Sequence, residues 1–202
     1  MTDVFYAPPK ADLQEDTPQK SGFFIVAPRK LLVMLFMTHG LYSAYWLHKN
    51  WSLYRAYSGR SVWPLARTIF ALFYLPSLFC KMNRTIKDAN GIGIPNWGLK
   101  AVVFILLPFA PLILGFVIGF TRAAGLHGFA GLGLWFDFWV GNAAAVLQIV
   151  VLLNVQRYVN RFNEDPEGLA NSGYSISNLA WMVIGVLFWG ATYYAAGLAY
   201  PG

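Results

Sequence analysis

From Ala101 to Phe120 the chain runs for 20 residues without a charged side chain. At a rise of ~1.5 Å per residue a helix of that length spans ~30 Å, the thickness of a bilayer's hydrocarbon core. The rest of the chain gives such a run little company from water. Only 12% of residues are charged and 57% are hydrophobic, against roughly 25% charged in soluble domains. The expected fold class is therefore all-α, an integral membrane helical bundle.

Five hydrophobic segments are read: 31–47, 62–80, 101–120, 132–153 and 179–200. Residues 1–22, with Pro8-Pro9 and few large apolar groups, read as a disordered cytosolic tail, and 23–202 as a single multi-span membrane domain. Pro28-Arg29-Lys30 marks a helix start. Within 202 residues the spans leave no room for a separate globular domain. No short apolar stretch followed by a small-residue cleavage site precedes the first segment, which is expected to be retained. No internal repeat is visible, so the inverted-repeat logic of transporters finds no support.

The first two segments are ambiguous. Segment 31–47 is 17 residues long, ~25 Å of helix, and is interrupted by Thr38-His39-Gly40. Segment 62–80 holds Pro64, Arg67 and Pro76. Two arrangements follow: five full crossings, or a three-span core with the first two segments forming a bent or re-entrant hairpin. With five crossings, ten basic residues (Lys10, Lys20, Arg29, Lys30, Lys81, Arg84, Lys87, Lys100, Arg157 and Arg161) fall on the side of the N-terminus. Lys49, Arg55, Arg60 and Arg122 then fall opposite. With the hairpin, the connector 48–61 changes side and the count becomes thirteen to one. Both counts place the N-terminus in the cytoplasm and the C-terminus in the periplasm.

Four polar residues inside apolar segments need partners: Arg67, Asp137, Asn142 and Gln148. Asp137, Gly141, Ala144 or Ala145, and Gln148 recur at helical spacing as a small, polar stripe. A carboxylate in hydrocarbon costs on the order of 3 kcal/mol, so Asp137 should face protein or water. In the five-crossing arrangement Arg67 lies at matching depth and is its expected partner. The stripe reads either as a clamp between helices or as a proton or ion path. Gly115-x-x-x-Gly119 reads as a close-packing motif within the protein. Tyr42, Tyr45, Trp46, Lys49, Trp51 and Arg55 read as an interfacial anchor, with rings at headgroup level and cations on phosphates.

Other chemistry is poorly supplied. His39, His48 and His127 lie in separate segments without metal-ligand spacing. The chain has no Gly-rich phosphate loop, no nucleophile elbow and no pair of carboxylates placed for acid–base work. Its single cysteine, Cys80, excludes an internal disulfide. Asn50-Trp51-Ser52 and Asn83-Arg84-Thr85 fit the three-residue glycosylation sequon. No cofactor or metal is expected, and no catalytic residue is assigned. The net charge of +6 is spread over short loops, which fits lipid headgroups rather than nucleic acid.

The run Thr38-x-Gly40-x-Tyr42-x-x-Tyr45-Trp46 followed by Lys49-Asn50-Trp51 resembles a signature of a group of uncharacterised bacterial inner-membrane proteins. The likeness covers Phe23 to about Phe79, roughly a third of the chain. The tail Tyr6-Ala7-Pro8-Pro9-Lys10-Ala11-Asp12 is similar to tails that precede many small bacterial membrane proteins. His39 departs from the pattern, where a small or apolar residue is expected. The resemblance implies a bacterial cytoplasmic membrane and brings no activity with it. The expected function is a non-enzymatic, multi-pass inner-membrane protein acting on lipids, other membrane proteins or its own copies. The competing expectation is a small transporter or channel component using Arg67, Asp137, Asn142 and Gln148.

Overall fold

A computed structural model of the protein describes residues 22–125 and 134–199; for 122, 134–138 and 195–199 it describes the backbone alone. All regular structure among the described residues is helical: α1 (Pro28–Met37), α2 (Tyr42–Ser58), α3 (Pro64–Ile69), α4 (Ala71–Asn90), α5 (Trp97–Leu106), α6 (Phe109–Ala123), α7 (Leu134–Phe162) and α8 (Ile176–Ala199). A short 3₁₀ turn, Leu169–Asn171, lies between α7 and α8. The tail expected over residues 1–22 falls outside the described residues except for Gly22.

Two stretches are long and apolar enough to cross a membrane, Trp139–Phe162 and Ile176–Tyr194. A third crossing is available if α5 and α6, bent by 44° at their junction, act as one broken span. The expectation of five crossings is thus corrected to two or three. Segment 31–47 fails because it is two helices. At the end of α1 the Thr38 hydroxyl donates back to the Met34 carbonyl at 2.7 Å and accepts the Tyr42 amide of α2 at 3.0 Å. Two left-handed residues follow, His39 at φ 49° and Gly40 at φ 83°, and the chain reverses. Segment 62–80 fails because α3 breaks off at Phe70, where Tyr74 and Phe73 restart the ladder as α4.

The reversal makes α1 and α2 a helical hairpin. Going in, α1 packs on both α7 and α8. Its first turn sits beside Gly173, and its last beside Gly185, where an added Cβ would overlap the Met37 carbonyl and Thr38. Coming out, α2 meets Gln156 of α7 through Trp46, then Phe24 through Asn50. Finally Tyr54 stacks on Phe23 at 6.0 Å. Both ends of the hairpin therefore lie at the end of the molecule where α7 finishes and α8 begins. The main core collects here, with Phe23, Leu31, Met34, Trp46, Trp51, Phe79, Met82, Leu152, Val155 and Val159 removed from solvent. On α4, Leu75, Leu78, Phe79, Met82 and Ile86 form the apolar stripe at three- and four-residue spacing that closes this core.

Outside that core large apolar side chains remain uncovered. On α6, Leu112, Ile113, Phe116 and Phe120 are each more than 60% exposed, well beyond the scattered apolar residues normal for a water-facing surface.

Candidate functional site

Non-helical backbone can be buried only if every N–H and C=O finds a partner. Residues 23–27 are such a stretch: non-helical, buried and bonded to both α2 and α7. Four amide side chains serve it. Asn50 accepts the Phe24 N–H at 3.0 Å, Gln156 donates to the Phe24 carbonyl at 2.8 Å, and Asn160 donates to the Val26 carbonyl at 2.9 Å. Asn171 donates to the Ile25 carbonyl at 3.0 Å. Gln156 is the hub, because its oxygen also accepts Trp46 Nε1 at 2.7 Å and its nitrogen also reaches Asn160 Oδ1 at 2.7 Å. Gln156, Asn160 and Asn50 are fully buried. The network fixes the hairpin to α7 and to the chain entering α1.

A second polar contact repairs a defect in the α5–α6 unit. Pro108 has no N–H, so the Phe104 carbonyl one turn earlier loses its helical donor. Gln148 of α7 supplies the replacement, donating from Nε2 at 2.7 Å. Nearby, Gly141 of α7 faces Pro111 of α6 at van der Waals distance, and Ala144 is buried. Gly141 and Gln148 of the expected stripe therefore pack on the broken α5–α6 helix, while the Asp137 side chain that begins the stripe lies outside the described residues. Gly115 and Gly119 behave differently: both are exposed, and a Cβ on Gly119 would meet nothing. Among the described residues, Gly119 has no close-packed neighbour.

Asn142 and Gln148 also line a small cleft with His39, Gly40, Ser43 and Trp189, under the tip of the hairpin. Its other walls are apolar, among them Leu35, Phe104, Ile149 and Leu152. The His39 ring stands edge-on to Trp189 at 4.4 Å and near Phe188 at 5.7 Å. No group of three or more His, Cys, Asp or Glu residues able to hold a metal is present among the described residues.

The expected anchor divides. Tyr42, Trp46 and Trp51 are at most 1% exposed and touch protein, with Trp46 edge-on to Phe79 at 6.5 Å. They are core residues rather than rings at an interface. Tyr45 and Lys49 are half-buried, and Arg55 is exposed. Arg67 lies over the Trp51 ring at 4.3 Å and over Tyr74 at 5.1 Å, so its partners are aromatic faces. The Asp137 side chain lies outside the described residues. Its place on α7 is nineteen residues before Gln156, about 28 Å of helix rise.

Of the residues that do most of the joining, Asn50 stood out in the sequence only as part of a sequon and of the Lys49-Asn50-Trp51 step, and Gln156, Asn160 and Asn171 did not stand out. Arg157 and Arg161 alternate with Gln156 and Asn160, and the whole stretch reads as wet. The available signal was spacing: Gln156 and Asn160 are four residues apart on one face, and the two arginines repeat that spacing on the next. No protein family, curated protein or solved structure matches the chain.

Proposed function

We propose that the chain is a three-span inner-membrane protein whose cytoplasmic half carries a re-entrant hairpin and a lipid-facing shelf, and that it acts by engaging anionic lipid rather than by catalysis. The spans are α5–α6, α7 and α8. The hairpin turn meets α8 at Gly185, nine residues past its start, a depth of about 14 Å, close to the middle of the hydrocarbon.

One observation carries the reading. Trp63, Leu65, Ile69, Phe70 and Phe73, on α3 and the start of α4, are each more than 50% exposed, although neither helix is counted among the spans. Arg55 and Arg60, also exposed, immediately precede them. Apolar side chains on helices that do not cross, beside cations, suit the boundary between headgroups and acyl chains. A transport path finds less support, since Arg67 rests on rings and Gln148 is committed to the Phe104 carbonyl.

The test is reconstitution into phosphatidylglycerol and phosphatidylcholine vesicles, with Trp63 fluorescence quenched by lipids brominated at different acyl depths, against a Trp63→Phe control. Shallow-bromine quenching that strengthens with anionic lipid is expected. Equal quenching in neutral vesicles would overturn lipid selectivity. Proton or ion flux in the same vesicles, abolished by Asp137→Asn, would replace this reading with transport.

A further inference from the structure

We infer that the cleft between the start of α1 and the end of α7 binds the phosphate of an anionic phospholipid headgroup. Arg29 and Lys30 from α1 and Arg157 and Arg161 from α7 line it, and Glu167 is the single carboxylate among its lining residues. Two more acids lie in the same loop, Glu164 and Asp165; neither lines the cleft, and the two oxygens of Asp165 accept the Leu169 and Ala170 amides at 2.8 and 3.0 Å. The site is positive by composition and by arrangement, since Arg157 and Arg161 are one helical turn apart on one face.

The walls are built. Gly168, at φ 67°, packs so closely on Val26 and Ala27 that a Cβ would overlap their backbone. The Ala27 amide donates to the Asn171 carbonyl at 3.2 Å. Lys30 is held by Asn171 Oδ1 and the Gly173 carbonyl, and burial pushes its pKa below the usual lysine range. Arg29, Arg157 and Arg161, by contrast, are exposed and available to a ligand. Helix α1 adds its own donors, because it opens on Pro28 with no side-chain cap at Ala27. Uncapped first-turn amides favour an anion there.

The occupant is argued from what lies beside the cations. Leu32 and Val33, one turn beyond Arg29, are exposed, and so are Leu147 and Val150, on the arginine face of α7. A phosphate carried on acyl chains meets cations and apolar surface together, whereas a free phosphate leaves the apolar part bare. The inference rests on the membrane reading above, and it adds a discrete site built from different residues than the α3–α4 shelf.

The test uses the full chain purified in detergent. Phosphatidylglycerol, phosphatidylcholine and inorganic phosphate are titrated separately while thermal stability is followed, and lipid retained after washing is measured by mass spectrometry. Phosphatidylglycerol is expected to be retained and to raise Tm, with phosphatidylcholine inert. The double variant Arg157→Gln/Arg161→Gln should weaken the phosphatidylglycerol effect at least about tenfold, as removal of two surface cations implies. Arg84→Gln/Lys87→Gln, two exposed cations of α4 away from the cleft and the shelf, should leave it unchanged, and Arg157→Lys/Arg161→Lys should retain most of it, which separates charge from folding damage. Unaltered phosphatidylglycerol binding in the double glutamine variant overturns the site. Stabilisation by millimolar inorganic phosphate alone overturns the lipid as occupant. Alkaline washing of membranes reports the membrane reading separately: protein released by the wash sinks that reading, whereas retained protein with unselective lipid binding sinks only the cleft.

Discussion

Gln148 illustrates how a polar side chain in an apolar helix can serve structure. Pro108 takes one donor out of the α5–α6 unit, and Gln148 returns one from the neighbouring helix to the Phe104 carbonyl. Leaving such a carbonyl unpaired costs about 1–3 kcal/mol, and Gln148→Leu should destabilise the protein by that amount. The same variant in a Pro108→Ala background should cost markedly less, because the alanine restores the N–H and the helical bond. A double-mutant cycle by thermal or denaturant unfolding in detergent measures the difference. Equal costs in both backgrounds would remove the repair role and return Gln148 to the list of path residues. The polarity of Gln148 was visible in the sequence, and so was Pro108. Their connection was not, because a gap of forty residues hides which turn of one helix faces which turn of the next.

At the level of elements, a re-entrant hairpin was one of the two arrangements open to the first two segments, and the structure places its turn inside the first of them, between α1 and α2. Thr38 bonds back to the carbonyl one turn earlier, and Gly40 takes the left-handed conformation. The composition could not show that the chain reverses there, since the hydrophobicity continues through Leu41 to Leu47 and a helical span would read the same. The difference lies in what receives the turn. Gly185 of α8 leaves room for Met37 and Thr38, 147 residues away from Thr38 along the chain, and α7 offers Gln156 to Trp46. Aromatic spacing alone likewise cannot tell a ring that lies in headgroups from one that lies against Phe79. Gly185→Ala should therefore displace the hairpin and cost about 1–3 kcal/mol, the usual penalty for overpacking. Gly119→Ala, on the open face of α6, should be neutral or slightly stabilising, as Gly to Ala usually is in a helix without steric conflict. Unfolding midpoints of the two variants, compared in one detergent, check both signs. A destabilised Gly119→Ala would mean that α6 packs on something.

The whole molecule turns on which end the connector 48–61 occupies. The hairpin returns α2 to the end where α7 stops and α8 starts, and it carries Lys49, Arg55 and Arg60 with it. Arg67 over Trp51 and Lys81 over Tyr54 belong to that end, and Lys100 over Tyr158 joins them. In the arrangement proposed here, nearly all cations then face one compartment and Arg122 faces the other, a stronger bias than five crossings allow. Single cysteines placed at Ser58, Ser172 and Gly125 in a Cys80→Ala background turn this into a measurement with membrane-impermeant maleimide. Ser58 and Ser172 should react together, only after the cells are opened, whereas Gly125 should react in intact cells. Five crossings require the opposite grouping, with Ser58 and Gly125 both labelled from outside. Labelling of Ser58 in intact cells would dismantle the hairpin and, with it, the placement of the lipid-facing shelf. The cleft of Arg29, Arg157 and Arg161 would survive that result, because it depends only on where α1 begins and α7 ends.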